Sequence, residues 1–149
     1  MQPSNSKVIV GLNGITASTA GTATAVFDTE GYDSCSLCLI AGTSHGSTTT
    51  SDPATLTLSE CDASNVATNF TNISGCVGGT DFPMPLMYTS TTSTWTVLFN
   101  VDLRGRRRYL KINVAPTTTI AFTAIAHLFR GDQAPINATL ANVDTLVEV

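Results

Sequence analysis

Apolar and polar positions alternate with period two along most of the chain. Between 22 and 28, Ala23, Ala25 and Phe27 fall on one side and Thr22, Thr24 and Val26 on the other, the pattern of a strand with one face turned toward a core. Asp28-Thr29-Glu30-Gly31 reads as a turn, with Gly31 free to take positive φ. Alternation resumes from 32 to 42, with Cys35, Leu37, Leu39 and Ala41 on one face, and then gives way to a polar loop from 43 to 53. Ala54, Leu56 and Leu58 alternate with Thr55, Thr57 and Ser59; a weaker strand follows at 67–73, and Gly and Pro punctuate a long connection from 75 to 85.

The second half is more regular. Trp95, Val97, Phe99 and Val101 share a face before a turn at Asp102-Leu103-Arg104-Gly105, and Leu110, Ile112 and Val114 share a face before a turn at 116–118. From 119 to 129 one face carries Ile120, Phe122, Ala124, Ala126 and Leu128, and the other Ala121, Thr123, Ile125, His127 and Phe129. Both faces are largely apolar, which predicts a central strand or one lying against a second subunit. Seven or eight strands with turns between them and no helical periodicity predict an all-β fold, an antiparallel β-sandwich or jelly roll. No repeat or linker divides residues 1–149, so one domain is expected, with 1–20 and 132–149 as terminal segments that could extend as arms. In the first, the apolar run Val8 to Leu12 stops at Asn13 and Gly14; the second is read either as one more strand or as an arm on a neighbouring subunit.

Composition supports the strand reading. The 149 residues include 25 Thr, 11 Val and 8 Ile but only five Lys plus Glu, a balance that suits pleated strands and excludes helical bundles and coiled coils. With 42% apolar residues and a net charge of -4, the chain can form a core rather than remain disordered. No run approaches the roughly 18 apolar residues of a membrane span. The N-terminus is too polar for a secretory signal, so a chain made in a cytosol and beginning near Met1 is expected.

Candidate chemistry is sparse. Cys35 and Cys38 have CxxC spacing, but three residues apart in a strand they face opposite sides and cannot share a metal. Buried free thiols are the favoured reading of the four cysteines, with a Cys61–Cys76 disulfide as the alternative. His45 lies in a polar loop and His127 in an apolar strand, with no nucleophile signature such as GxSxG. Asp28, Glu30 and Asp33 do not match a calcium loop, and Glu60 and Asp62 are two carboxylates on one strand. No enzyme, cofactor or metal is expected. Arg130-Gly131-Asp132 is an adhesion tripeptide only if displayed outside a cell.

Charge is distributed unevenly. Through Asp102 there are eight acids and one base, and from 103 onward six bases and three acids. Five of the seven bases lie between Arg104 and Lys111. Arg104-Gly-Arg-Arg-Arg108 could hold phosphate, but the negative total opposes steering to a polyanion and no aromatic interleaving makes a base-stacking platform. Ion pairs with acidic loops are the preferred reading, and no nucleic acid or membrane partner is expected.

The segment from Asn100 through Asp-Leu-Arg-Gly-Arg-Arg-Arg-Tyr to Val114, followed by Phe122-Thr-Ala-Ile-Ala-His-Leu-Phe-Arg-Gly131 and Ala134-Pro135, resembles the C-terminal half of tailed-bacteriophage capsid decoration, or cement, proteins. Phe27-Asp-Thr-Glu-Gly-Tyr-Asp33 and Leu58-Ser-Glu-Cys-Asp-Ala63 are similar to their N-terminal half. Cys61, Cys76 and the Asn/Thr-rich stretch between them have no counterpart. The resemblance implies a jelly roll that forms a homotrimer on the outer capsid surface of the virion, binds the major capsid protein and clamps neighbouring capsomers. Candidate subunit or capsid contacts are Arg104, Arg106, Arg107, Arg108, Tyr109, Lys111, His127 and Phe129. The alternatives are a carbohydrate- or receptor-binding module of a tail or fibre, with Trp95 or Tyr88 as its aromatic platform, and a neck or tail component.

Overall fold

The structure, a computed structural model, describes residues 5–18, 21–42, 53–63, 69–85, 94–130 and 145–149. Its strands are β1 (Ser6–Ala17), β2 (Ala23–Asp28), β3 (Ser34–Ala41), β4 (Thr55–Cys61), β5 (Thr71–Val77), β6 (Trp95–Asp102), β7 (Tyr109–Ala115), β8 (Ile120–Phe129) and β9 (Thr145–Glu148). One sheet has five strands in the order β1-β8-β3-β6-β9 and the other four in the order β2-β7-β4-β5. Every pair is antiparallel except β6 with β9. The pairing is nested: β1 lies beside β8, β2 beside β7, β3 beside β6 and β4 beside β5, as though one long hairpin had been rolled up.

The two sheets pack face to face as an all-β sandwich, and the alternation selects which side chains fill the space between them. Ala23, Ala25 and Phe27 from β2, Cys35 to Ala41 in steps of two from β3, and the corresponding sets of β6, β7 and β8 are buried, as the pattern predicts. Leu56 and Leu58 are buried too, whereas Ala54, just before β4, is exposed. Phe27, Phe99 and Phe122 are fully enclosed, each burial contributing about 1.5–3 kcal/mol. β8 is central, held between β1 and β3. The turns fall where glycine permits them: Gly31 (φ 83°) between β2 and β3, and Gly105 (φ 83°) between β6 and β7.

The first terminal segment departs most from expectation, whereas the end of the second is the strand that one of its two readings expected. The first contains a 12-residue edge strand rather than a short apolar run. Its alternation is obscured because register shifts fall between Val10 and Leu12 and between Leu12 and Ile15, with Gly14 at φ 61°. Part of the second segment is β9, so its end is a strand. β5 begins at Thr71 rather than 67 and takes in Gly75 to Val77, residues expected in a connection.

Gly11 of β1 lies tight against β2. A Cβ there would lie 2.5 Å from the Phe27 ring and 2.7 Å from Ala25 Cβ, and Phe27 is fully buried with no room to withdraw. Gly14 has open space around its Cα, so a side chain there meets only its left-handed backbone. Gly11→Ala is therefore expected to lower the unfolding free energy in urea by about 2–3 kcal/mol through overpacking. Gly14→Ala should cost about 1 kcal/mol, from the backbone alone. Equal costs at the two positions would contradict the close approach of β1 and β2.

Candidate functional site

The uneven charge along the sequence becomes a compact cluster at one end of the sandwich. The β6–β7 turn, the β2–β3 turn and the end of β4 meet there, because Leu103 N–H donates to the Asp33 carbonyl (2.8 Å) and Thr29 donates to the Arg108 carbonyl through its N–H (3.0 Å) and Oγ1 (2.6 Å). Arg108 grips Asp28 with two parallel bonds of 2.9 and 2.7 Å and reaches Glu30 at 2.8 Å. Arg104 grips Asp102 in the same two-pronged way, at 2.9 and 2.8 Å. Glu60, in register with inward-facing Leu110, lies 4.0 Å from Arg106 and accepts the Arg107 N–H at 3.3 Å, and Arg107 lies 3.8 Å from Asp62.

Four arginines thus stand among five carboxylates of their own chain. A cluster so neutralised has little field to offer a polyanion. The hydrogen bonds from Arg104 hold the Asp102 carboxyl down to about 2, and those from Arg108 hold Asp28 below its ordinary value. Both residues of the Arg108–Asp28 pair are about 40% exposed, so the pair orients the turns more than it stabilises the fold.

The eight candidate contact residues do not form one surface. Arg104, Arg106, Arg107 and Arg108 lie at the charged end. Tyr109 and Lys111 are on the outer face of the four-stranded sheet, where Arg108 stacks on Tyr109 (5.0 Å) and the Lys111 ammonium sits 4.4 Å from the Phe70 ring centre. His127 and Phe129 stack on each other (3.9 Å) on the outer face of the five-stranded sheet, the opposite side of the sandwich.

These two outer faces differ in chemistry. Across the four-stranded sheet the register aligns Thr24, Asn113 and Thr57, then Val26, Lys111, Ser59 and Asn72. Across the five-stranded sheet it aligns Val10, Ile125, Cys38, Leu98 and Leu146, an apolar row that spans every strand. Val8 and Val10 remain 59% and 56% exposed. No motif marks this row, because its members lie far apart in the chain and each reads singly as the weaker half of an alternation.

The remaining candidates take structural places. All four cysteines are free thiols; Cys35 faces inward and Cys38 outward, and burial pushes Cys35 and Cys76 up to about 12. No group of three or more metal-ligating side chains exists among the described residues. Trp95 is 3% exposed and packs on Phe122, so it cannot serve as an open platform for a sugar. Arg130 donates to the Gly31 carbonyl (2.8 Å) and stacks on Tyr32, while Gly131, Asp132, His45 and Tyr88 lie outside the described residues. Among the described residues no helix is long and apolar enough to cross a membrane.

No protein-family model matches the chain, and no curated protein sequence matches it significantly.

Asp28 reports directly on the charged end. Its folded-state pKa is depressed, so the contribution of its ion pair to stability is present above the unfolded value of 3.8 and is lost as pH falls through the folded one. An NMR titration of the Asp28 carboxyl should give a midpoint below 3.8 in the wild type and a higher one in Arg108→Gln. An unchanged midpoint in the variant would show that Arg108 does not hold Asp28 in solution.

Proposed function

We propose that this chain is a non-enzymatic structural protein of a bacteriophage virion, bound to the outer surface of the capsid, where it cements neighbouring capsomers. The observation that carries the reading is the nested pairing of β1 with β8, β2 with β7, β3 with β6 and β4 with β5. This order supports reading the sandwich as an eight-stranded jelly roll with β9 added beside β6, and the jelly roll is a fold common to viral capsid and lectin domains. It is also the fold implied by the resemblance of residues 100–135 to capsid decoration proteins. Fold alone does not set function, but two surface features favour the same role. The basic turn is engaged by carboxylates of its own chain, and the five-stranded sheet presents to solvent an apolar row suited to protein contact. The arrangement would act by mass action, with many modest contacts across a shell favouring the assembled state.

Phage heads stripped of this protein and mixed with the purified chain provide the test. Pelleting should bring the chain down with the heads at a fixed number of copies per capsomer, and the loaded heads should resist heating better than bare ones. A chain that stays in the supernatant at saturating concentration, or that pellets only with tails, would overturn the capsid role.

A further inference from the structure

We propose that the outer face of the five-stranded sheet is covered by the same face of a second copy of this chain, giving a two-fold dimer. The inference goes beyond the capsid role but takes up the same apolar row that supports it, so the capsid would be met by the paired chains. Three observations on the sheet select the occupant and the geometry.

The first is the nature of the patch. Val10, Ile125, Cys38, Leu98 and Leu146 run in one row across all five strands, with Val8 and Ile40 exposed beside it. Polar residues flank the row on both sides: His127, Ser36, Asn100 and Glu148 align along one, where Ser36 Oγ donates to Asn100 Oδ1 (2.7 Å), and Thr123 and Thr96 stand either side of Ile40 along the other. An apolar centre with a polar rim is the anatomy of a specific protein interface, and no charged residue stands within the row to repel an identical face.

The second is size. Four strands of at least eight residues and β9 with four, at about 4.8 Å spacing and about 3.3 Å per residue, give a whole outer face, apolar row and polar flanks together, of roughly 600 Å². Two such faces bury roughly 1,200 Å², the lower bound for a stable specific interface.

The third is the blocking of edge-to-edge pairing through β1. Edge-to-edge pairing through β1 would need a regular, flat strand, but β1 carries two register shifts, Gly14 at φ 61° and Lys7 opposite inward-facing Leu128. Bulges and inward-register charges on an edge are the devices that prevent such pairing. The other outer face is polar, so among the described residues there is one extended apolar patch. A contact that uses one patch on both copies is isologous and closes at two, whereas a ring of three needs two different patches. The geometry therefore favours pairs over the threes that the family resemblance implies.

Cys38 is the middle residue of the row and the one cysteine of the four that is not buried, which makes it a direct probe. With two copies face to face about its position, bismaleimidoethane should join Cys38 to Cys38 and give a band of two chains that Cys38→Ser abolishes. Sedimentation equilibrium should give twice the 15.6 kDa of one chain, and Leu98→Lys should weaken association by at least about 100-fold because it places unpaired ammonium groups in the contact. Thr57→Lys on the opposite face should change nothing, and thermal unfolding of each variant confirms that it is folded. A monomer, a trimer, or a dimer indifferent to Leu98→Lys and not linked through Cys38 would overturn the pairing. Head binding measured on the same Leu98→Lys protein separates the two proposals: binding that persists leaves the capsid role in place, and its loss together with pairing makes the dimer the binding unit.

Discussion

The structure depends on the burial of one side of every strand between two sheets. Because side chains alternate along a strand, the apolar set at even spacing can meet a partner set only if the register holds, and a slip of one residue would turn the whole set outward. The nested antiparallel pairing keeps that register through long-range partners: Leu37 stands opposite Phe99 on one side and Ala126 on the other, and Leu58 opposite Ile112. With so few charged residues, the chain has little else to specify its topology. The charges it does have are placed where the turns must be brought together.

That placement explains why acids dominate the first two thirds of the sequence and bases follow. Asp28, Glu30, Glu60 and Asp62 are far from Arg106, Arg107 and Arg108 along the chain but meet them at one end of the sandwich. The ion pairs are exposed and individually weak; their value lies in fixing which turn lies beside which. A consequence is that the most conspicuous motif in the sequence is used internally, and among the described residues the extended apolar surface is the quiet outer face of the five-stranded sheet.

The fold was legible in the sequence wherever alternation ran unbroken. The inward sets of β2, β3, β6, β7 and β8 could be named residue by residue, and Gly31 and Gly105 stand at the turns expected of them. β1 was not legible, because Gly11, Asn13 and Gly14 interrupt its pattern for reasons that exist only in three dimensions: a close crossing over Phe27 and two register shifts. β5 was misplaced by a few residues since its buried Ile73 and Cys76 are three apart. The candidate contacts were harder still. Tyr109 and His127 look like neighbours in a list of half-apolar strand residues, yet β7 and β8 belong to different sheets, and only the long-range pairing separates them. The apolar row is assembled from five strands and leaves no local signature.

We propose that this protein meets its neighbours through the apolar sheet face and not through its arginine-rich turn. A side-chain-resolution reconstruction of the proposed capsid-bound assembly is the decisive measurement. It should show density of another protein chain against Val10, Cys38 and Leu98, with the Arg108–Asp28 pair intact and facing solvent. A particle in which Arg104 to Arg108 have left their carboxylates to contact a neighbour, while Val10, Cys38 and Leu98 face solvent, would contradict it.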